Sequence, residues 1–336
     1  MQVLMKISRG VGNLELRDIP EPIPGPEEVK VRVKAAGICG TDIHIMNDEF
    51  PYNPPVVLGH EVAGVVEECG KKVSSFKVGD RVTSRTSVGC GKCKYCHTGR
   101  ANLCPNRLTL GLSINGGFAK YFVIPESNLH LLPENVGFVA GALTEPLACC
   151  VHAVLETGKV SPGESVLITG PGPIGLMCTQ LAKASGGYVT IMGTPRDKER
   201  LELAKKLGAD ETVFTTETEE LINNKREFEV VVECSGAEPA IDTGLRLATK
   251  RARYVQMGLI GKEAKINIDQ IVYKEIIFLG SFAQKWTAWG KALNLLGHGI
   301  VQTEPLVSHR LSLNQWQEGF EMLINNKGLK KVIIPE

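Results

Sequence analysis

The sequence lacks an apolar run of the roughly 18 residues needed to cross a bilayer, because Glu61 and Glu145 interrupt its longest apolar stretches. The N-terminal stretch MQVLMKISRG has no apolar core of the kind found in secretory signals. Charge of one sign is not in excess either, since 38 Lys and Arg stand against 37 Asp and Glu, for a net charge of +1. A nucleic-acid-binding protein would carry a basic surplus. We therefore expect a cytoplasmic protein without a membrane or nucleic-acid partner.

The 336 residues exceed one ordinary hydrophobic core, so two domains are expected. Up to about residue 145 the chain is rich in turns and short strands, and no amphipathic helix of useful length occurs before about residue 135. From residue 165 onward, apolar strands alternate with helical segments, which predicts a doubly wound α/β domain with a parallel sheet. The predicted strands of that sheet are 165–169, 188–193, 229–236, 252–259 and 275–282.

A glycine-rich turn, GPGPIG, follows the first of those strands and opens a helix. In this setting the three glycines permit a tight turn, close approach of a pyrophosphate and close helix–strand packing, while the helix N-terminus attracts negative charge. We therefore predict dinucleotide binding; the alternative is a turn that serves only packing. The predicted cofactor contacts are Gly170, Gly172, Pro173, Ile174 and Gly175 in the turn, and Cys234, Ser235, Met257 and Gly258 at two strand ends.

The end of the second predicted strand bears on the choice between NAD(H) and NADP(H). NAD enzymes of this type place an acidic residue roughly 20 positions after the glycines, where it binds the ribose hydroxyls. Here Gly193 and Thr194 occupy the strand end, and Asp197 comes only after Arg196. An arginine suits a 2′-phosphate, and Arg200 follows one turn later. We favour NADP(H) over NAD(H); the alternative is that both arginines are solvent-exposed charges.

Four of the ten cysteines lie close together in CGKCKYCHTGRANLC. Their spacing lets four thiolates surround one zinc ion, and a filled tetrahedral shell leaves no place for substrate. The rival is an iron–sulfur cluster, which thiolates also bind. We predict a structural zinc ion held by Cys90, Cys93, Cys96 and Cys104.

A second set of donor residues is spread along the chain. Cys39 lies in GICGTDIH, His60 and Glu61 lie in GHEVAG, and Glu145 lies in TEPLACC. One thiolate, one imidazole and one carboxylate would leave zinc an open position for substrate. Buried cysteines are more often core residues than ligands, so the residues alone leave both interpretations open.

Taken together, GICGTDIH, GHEVAGVV, the four-cysteine lobe and GPGPIG resemble the zinc-dependent medium-chain alcohol dehydrogenase family, in the same order and over essentially the whole chain. Within it, GALTEPLACCVHA and EPLVSHRLSL are most similar to polyol dehydrogenases of the sorbitol, iditol and xylitol type, while CGTDIHIMN resembles L-threonine 3-dehydrogenase. The resemblance implies a Rossmann domain over residues 147–282 and a β-rich GroES-like catalytic domain over 1–146 and 283–336, with a zinc-binding lobe at about 89–106. It also implies a homo-oligomer, either a dimer or a tetramer.

The resemblance further assigns roles to the second donor set. The implied ligands of a catalytic zinc ion are Cys39, His60, Glu61 and Glu145, and the sequence does not decide which carboxylate binds directly. Thr41 matches the hydroxyl that takes the substrate proton, and His44 matches a relay residue toward solvent.

We therefore expect a zinc-dependent oxidoreductase that transfers a hydride between a secondary alcohol of a polyol or sugar alcohol and a nicotinamide cofactor, with zinc as a Lewis acid. The alternatives are L-threonine 3-dehydrogenase, a vicinal-diol dehydrogenase of the butanediol type, and a non-catalytic cofactor-binding module. An arginine and a tyrosine typical of the animal sorbitol enzymes are replaced here by Ala283 and Ile45, which leaves the particular polyol open.

Overall fold

The computed structural model describes residues 1–335 and separates them into two units. The first unit comprises Met1–Pro146, Lys285–His298 and the chain from Thr303 onward, and the second comprises Leu147–Gln284 and Gly299–Gln302. No helix within the described residues is both long enough and apolar enough to cross a membrane.

The regular elements are numbered in chain order. The strands are β1 Gln2–Lys6, β2 Leu14–Asp18, β3 Glu28–Gly37, β4 Val56–Val57, β5 Glu61–Cys69, β6 Arg81–Ser84, β7 Ser87–Val88, β8 Leu108–Thr109, β9 Tyr121–Pro125, β10 Leu129–Leu131, β11 Ser165–Thr169, β12 Tyr188–Gly193, β13 Glu211–Phe214, β14 Phe228–Glu233, β15 Ala248–Gln256, β16 Ile277–Gly280, β17 Val307–Leu311 and β18 Lys330–Ile333. The α-helices are α1 Gly40–Met46, α2 Lys94–His97, α3 Phe138–Ala142, α4 Thr144–Val151, α5 Pro173–Ala184, α6 Lys198–Lys206, α7 Thr218–Asn223, α8 Glu238–Leu247, α9 Asp269–Tyr273, α10 Trp286–Gly297 and α11 Trp316–Ile324.

A sheet of six parallel strands, in the order β13-β12-β11-β14-β15-β16, forms the second unit. The sequences SVLIT of β11 and FEVVVE of β14 are rich in β-branched residues, and nearly all of these residues are buried. Such strands are typical of parallel sheets that helices cover on both faces. The winding of the chain reverses between β11 and β14, so their carboxyl ends form a topological switch point. The predicted doubly wound sheet is confirmed.

Three strands of this sheet end earlier than the sequence predicts, among them β16, which ends at Gly280 rather than at residue 282. β14 ends at Glu233 rather than at residue 236, because the side chain of Glu233 accepts hydrogen bonds from the N–H groups of Ser235 and Gly236. β15 ends at Gln256 rather than at residue 259. The residues that follow β14 and β15 are therefore loops at the carboxyl edge of the sheet.

A seven-stranded sheet dominates the first unit, with the path β10-β6-β5-β3-β18-β17 and with β9 also paired to β3. β3 alternates buried and half-buried residues along most of its length, as its period-2 pattern predicts. Its last residue, Gly37, pairs with Glu61 of β5 on one side and with Val332 of β18 on the other. This register brings the start of β5 and the strand β18 to the same end of the sheet.

Two short helices, α1 and α2, precede residue 135, where the sequence predicted none of useful length. They are shorter than the window of 11–18 residues in which helical periodicity becomes visible. At the start of α1, the N–H of Cys39 donates to Asp42 Oδ2 at 2.8 Å. At its end, buried Lys6 of β1 donates to the carbonyl of Met46 at 3.3 Å. A positive charge at this position stabilises the C-terminus of a helix. A strand remote from α1 in sequence thus stabilises this helix.

Candidate functional site

Three side chains of the types that bind metal ions meet at the start of β5 in the first unit. Cys39 precedes α1, His60 precedes β5, and Glu61 is the first residue of β5. One donor atom of each residue lies within 4.8 Å of the donor atoms of the other two. His60 and Glu61 are buried and Cys39 is half-buried. Glu145, the fourth residue singled out from the sequence, is also buried but lies outside this group of three.

Asp42, which the sequence analysis did not single out, faces the imidazole of His60. Its carboxylate is completely buried, with Oδ1 3.7 Å from His60 Nδ1. Burial by itself lowers the pKa of His60, but the charges of Cys39 and Asp42, and then of Glu145, raise it well above its ordinary value. A carboxylate beside the ring of a ligating histidine fixes the orientation of that ring. The available signal was the spacing in CGTD, where an acid stands three residues after a helix-capping position.

Lys330 of β18 is the second residue that the sequence analysis missed. It is buried, and its Nζ forms an ion pair with Glu61 Oε1. Burial by itself lowers the pKa of Lys330, but the negative charges of Glu61 and Cys39 raise it above its ordinary value. No local pattern indicates this pair, because 269 positions separate its members.

Unpaired polar atoms indicate what this group could hold. Glu61 Oε2, His60 Nδ1 and Asp42 Oδ1 are buried and have no hydrogen-bond partner within residues 1–335. Buried polar atoms are nearly always satisfied, so an unpaired carboxylate oxygen beside a thiol and an imidazole is the environment of a cation. Zinc takes such a sulfur, nitrogen and oxygen set and keeps a fourth position open. The residues therefore fit a zinc ion.

The two proposed proton-relay residues lie on α1. Thr41 Oγ1 is 3.7 Å from Cys39 Sγ, at the edge of the three-donor group. His44 is one turn further along, with 39% of its side chain exposed, and its Nδ1 is 2.8 Å from Glu49 Oε2. No hydrogen bond joins Thr41 directly to His44 in the part of the chain that the structure describes.

The four clustered cysteines form a second group of donors. Their sulfur atoms lie within 4.8 Å of one another, and all four are free thiols. The N–H of Cys96 points at Cys93 Sγ at 3.5 Å, and the N–H of Lys92 helps to lower the pKa of Cys90 to about 6. Four sulfurs at this separation fit one tetrahedral ion with a filled shell.

The glycine-rich turn lies at the carboxyl end of β11, at the switch point of the second unit. Gly170 has a φ of +91°, and a Cβ at Gly175 would come within 2.0 Å of the Gly170 carbonyl oxygen. A Cβ at Gly172 would meet nothing within 4 Å, so packing does not require this glycine. Gly172 provides no side-chain cap for α5, which leaves the first N–H groups of the helix available to an anion. Pro173 and Ile174 open this helix. The turn fits a dinucleotide pyrophosphate.

The residues after Gly193 form a tight turn at the end of β12. The N–H and hydroxyl of Thr194 both donate to Asp197 Oδ2, at 3.0 and 2.7 Å. Asp197 Oδ1 is 3.3 Å from Arg200 Nη1. Arg196 is exposed and forms no ion pair with the described residues. The carboxylate of Asp197 is thus bound by groups of the turn itself, while Arg196 is exposed to solvent.

The remaining predicted cofactor contacts follow β14 and β15. Cys234 and Ser235 lie in the first loop, and Met257 and Gly258 lie in the second. The N–H groups of Met257 and Gly258 donate to the Glu233 carbonyl at 3.0 and 2.9 Å, so the two loops are tied together at the carboxyl edge of the sheet.

Known families match both parts of this chain. The alcohol dehydrogenase GroES-like domain family matches residues 25–134, and the zinc-binding dehydrogenase family matches residues 173–298. A sorbitol dehydrogenase of Halalkalibacterium halodurans is 41% identical, over 100% of this chain and 99% of the relative. The chain belongs to the zinc-dependent medium-chain alcohol dehydrogenase family. A D-arabitol-phosphate dehydrogenase of Enterococcus avium is 37% identical, over 99% of this chain and 97% of the relative. An L-threonine 3-dehydrogenase of Pyrococcus horikoshii is 36% identical, over 99% and 98%.

Solved structures of similar proteins contain both kinds of nicotinamide cofactor. A zinc-binding dehydrogenase of Sinorhizobium meliloti 1021, bound to NADP, has a TM-score of 0.91 at 33% identity and covers 99% of both chains. An Escherichia coli CFT073 alcohol dehydrogenase complexed with NADH has a TM-score of 0.91 at 28% identity, again over 99% of both chains. The family resemblance and the fold class are therefore confirmed: this dehydrogenase combines a GroES-like domain with a Rossmann domain, and it is an enzyme of zinc and nicotinamide chemistry.

The position of Glu61 in this dehydrogenase depends on Gly37. A Cβ at Gly37 would lie 2.0 Å from Glu61 Oε2, so we expect Gly37→Ala to displace the carboxylate and weaken zinc binding there about tenfold or more. Gly40→Ala is the matched control, since its Cβ would meet nothing within 4 Å. Chelator competition followed by metal analysis measures the effect. Equal zinc retention in both variants would contradict the prediction that Glu61 is a zinc ligand.

We expect two substitutions in the glycine-rich turn to have different effects, one on cofactor binding and the other on stability. Gly172→Ala should leave thermal unfolding unchanged, because its φ of −75° suits alanine, but should weaken cofactor binding about tenfold by blocking the pyrophosphate. Gly175→Ala should lower the free energy of unfolding by about 1–3 kcal/mol through overpacking. Cofactor titration and thermal unfolding measure the two effects. Undiminished cofactor affinity in Gly172→Ala would contradict close approach of the pyrophosphate to this glycine.

Proposed function

We propose that this dehydrogenase transfers a hydride between a secondary alcohol of a polyol or sugar alcohol and a nicotinamide cofactor, reversibly. The observation that carries the proposal is the three-donor group of Cys39, His60 and Glu61, with its unpaired buried oxygen. The names of the sorbitol and D-arabitol-phosphate relatives support the polyol class. A solved galactitol-1-phosphate dehydrogenase of Escherichia coli, at 26% identity and a TM-score of 0.89, supports it as well.

We infer that the chain holds two zinc ions with different purposes. The ion among the four cysteines is structural, because four thiolates leave no open position. The other is catalytic, with Cys39, His60 and Glu61 as direct ligands. Glu145 then acts from outside the ligand set, which is consistent with its place beyond the group of three donors. Asp42 orients His60, and Lys330 holds Glu61 by its other oxygen.

The residues of α1 handle the substrate proton in this proposal. When bound, zinc supplies Lewis acidity that eases loss of the hydroxyl proton, and the nicotinamide ring supplies the hydride acceptor. Thr41, beside Cys39, accepts the hydrogen bond of the substrate hydroxyl. His44, partly exposed and hydrogen-bonded to Glu49, passes the proton outward.

We favour NADP(H) over NAD(H) as the cofactor. The acid of the turn after β12, Asp197, is engaged by Thr194 and Arg200, whereas Arg196 is exposed and free of ion pairs within residues 1–335. A free guanidinium suits the 2′-phosphate that distinguishes NADP. The NADP-bound relative of Sinorhizobium meliloti is consistent with this preference.

L-threonine oxidation is the second candidate, because the Pyrococcus horikoshii relative is 36% identical over nearly the whole chain. Butanediol oxidation is favoured by a solved 2R,3R-butanediol dehydrogenase of Bacillus subtilis, at 28% identity and a TM-score of 0.89. A non-catalytic cofactor-binding module would not need an open three-donor group, and Cys39, His60 and Glu61 argue against it.

We also propose that β16 pairs with β16 of a second copy of this chain, to form at least a dimer. β16 is the edge strand of the six-stranded sheet, and an unpaired edge is a template for another strand. Exposed apolar side chains continue from α9 into this strand, namely Val272, Tyr273, Ile277 and Phe278.

Substrate specificity can be tested with sorbitol, xylitol, L-threonine and 2,3-butanediol, each assayed with NAD and with NADP. We expect the highest kcat/KM for a polyol with NADP.

Cys39→Ser should lower kcat on the order of a thousandfold through loss of Lewis acidity, with unchanged cofactor binding. A highest kcat/KM for L-threonine would favour the second candidate, a preference for NAD would refute the cofactor proposal, and full activity of Cys39→Ser would overturn the proposed function.

If β16 forms the dimer interface, a charge placed on this strand should lower the mass of the assembly in solution. Ile277, 47% exposed, is replaced by Lys, which disfavours strand pairing. Light scattering should then report a smaller assembly than for the wild type. Ile23→Lys, at a site that is 85% exposed in the other unit, serves as the control. An unchanged mass for Ile277→Lys would exclude this edge as the interface.

A further inference from the structure

Glu233 is a buried carboxylate to which the proposed reaction assigns no role. It ends β14, the strand beside the switch point, and its relative exposure is 0%. Within residues 1–335, no lysine, arginine or histidine forms an ion pair with it. An isolated buried charge is costly, so its presence calls for an explanation.

Neutral donors surround this carboxylate on every side. Oε1 accepts hydrogen bonds from the N–H of Ser235 at 2.7 Å, from the Ser235 hydroxyl, and from Thr169 Oγ1 at 3.3 Å. Oε2 accepts from Gln256 Nε2 at 2.7 Å. The N–H of Gly236 is shared between the two oxygens, at 3.1 and 3.0 Å. The two backbone N–H groups and the Gln256 amide nitrogen can only donate, so these contacts suit a carboxylate that accepts through both oxygens.

These contacts connect three strand ends. Thr169 ends β11, Ser235 follows β14, and Gln256 ends β15. A Cβ at Gly258 would lie 2.5 Å from Glu233 Oε2, so the loop after β15 also packs against the carboxylate. In doubly wound sheets the nicotinamide dinucleotide lies along these carboxyl ends. The buried charge therefore stands under the edge where the cofactor of the proposed function would bind.

The two forms of the cofactor differ in charge at the reacting ring. The oxidised nicotinamide ring carries a formal positive charge, and the reduced ring is neutral. Hydrogen bonds from neutral donors stabilise a carboxylate but leave its net charge in place, and in a protein interior that charge is weakly screened. A fixed negative charge near the ring thus favours the oxidised form.

We propose that Glu233 is a positioning residue with two effects: it holds the ends of β11, β14 and β15 in place, and its charge biases the site toward the oxidised cofactor. This inference rests on the nicotinamide cofactor of the proposed function. A residue that only holds the loops in place would change the affinities for both forms of the cofactor equally. A charge would change the ratio of the two affinities.

The ratio of Kd for the oxidised cofactor to Kd for the reduced cofactor tests the proposal. A unit charge acting over roughly 10 Å at an effective dielectric constant of about 20 changes such a ratio on the order of tenfold. Glu233→Gln, which removes the charge, should raise the ratio by about that factor, which corresponds to about 1.4 kcal/mol. Glu233→Asp keeps the charge but shortens the side chain, so both constants should rise together. Glu229→Gln removes an exposed carboxylate from the same strand and should leave the ratio unchanged.

The outcomes separate this inference from the proposed function. Both constants are measured by titration of the wild type and the variants, without substrate. An unchanged ratio in Glu233→Gln overturns the electrostatic role. If that variant does not fold, Gln256→Lys puts an ammonium group in place of the amide that lies 2.7 Å from Oε2, cancels the net charge and should also raise the ratio about tenfold; an unchanged ratio there overturns the proposal. A wild type that binds neither cofactor form refutes the proposed function itself.

Discussion

A buried ion pair sets the geometry of the first unit. Glu61 and Lys330 come from strands on opposite sides of β3, and both are buried, so water contributes little to the stability of either charge. Leaving either charge buried alone would cost several kcal/mol, so β5 and β18 must take their places together. Gly37, between them on β3, leaves room for the carboxylate. The donor group at the start of β5 is therefore a product of the whole sheet rather than of the segment that supplies Cys39, His60 and Glu61.

In the second unit, the polar groups at the carboxyl edge of the sheet depend on where the strands end rather than on an ion pair. Its central strands β11, β12 and β14 are mostly apolar and paired on both sides, so their polar backbone groups become available only where these strands end. At β11 those groups are the uncapped N–H donors of α5, which suit an anion. At β14 the side chain of Glu233 takes up the nearest N–H groups. One edge of one sheet thus presents a positive helix end beside a buried negative carboxylate, and a dinucleotide has anionic phosphates and a cationic ring to match both.

The sequence predicted features that rest on local patterns. Alternating strands and helices indicated the parallel sheet, and short cysteine spacing indicated the group of four thiols, because in both cases the residues that meet are near one another or repeat along the chain. Asp42 and Lys330 were missed for a different reason. The role of Asp42 depends on where α1 lies, and α1 is too short to show helical periodicity. In the sequence, Lys330 is one basic residue in a predicted strand. Only the register of β3, β5 and β18 shows that it lies beside Glu61. The early end of β14 was missed because a side chain, and not a change in hydrophobicity, terminates this strand.

The separation of Glu61 from Lys330 has a consequence during synthesis. At chain growth of about 5–20 residues per second, the 269 positions between them take roughly 15–50 s to translate. For that interval the nascent polypeptide displays the thiol, the imidazole and the carboxylate, but not the ammonium group that will fix the carboxylate in place. We therefore expect the three side chains to take fixed positions only after β18 has been made and has paired with β3.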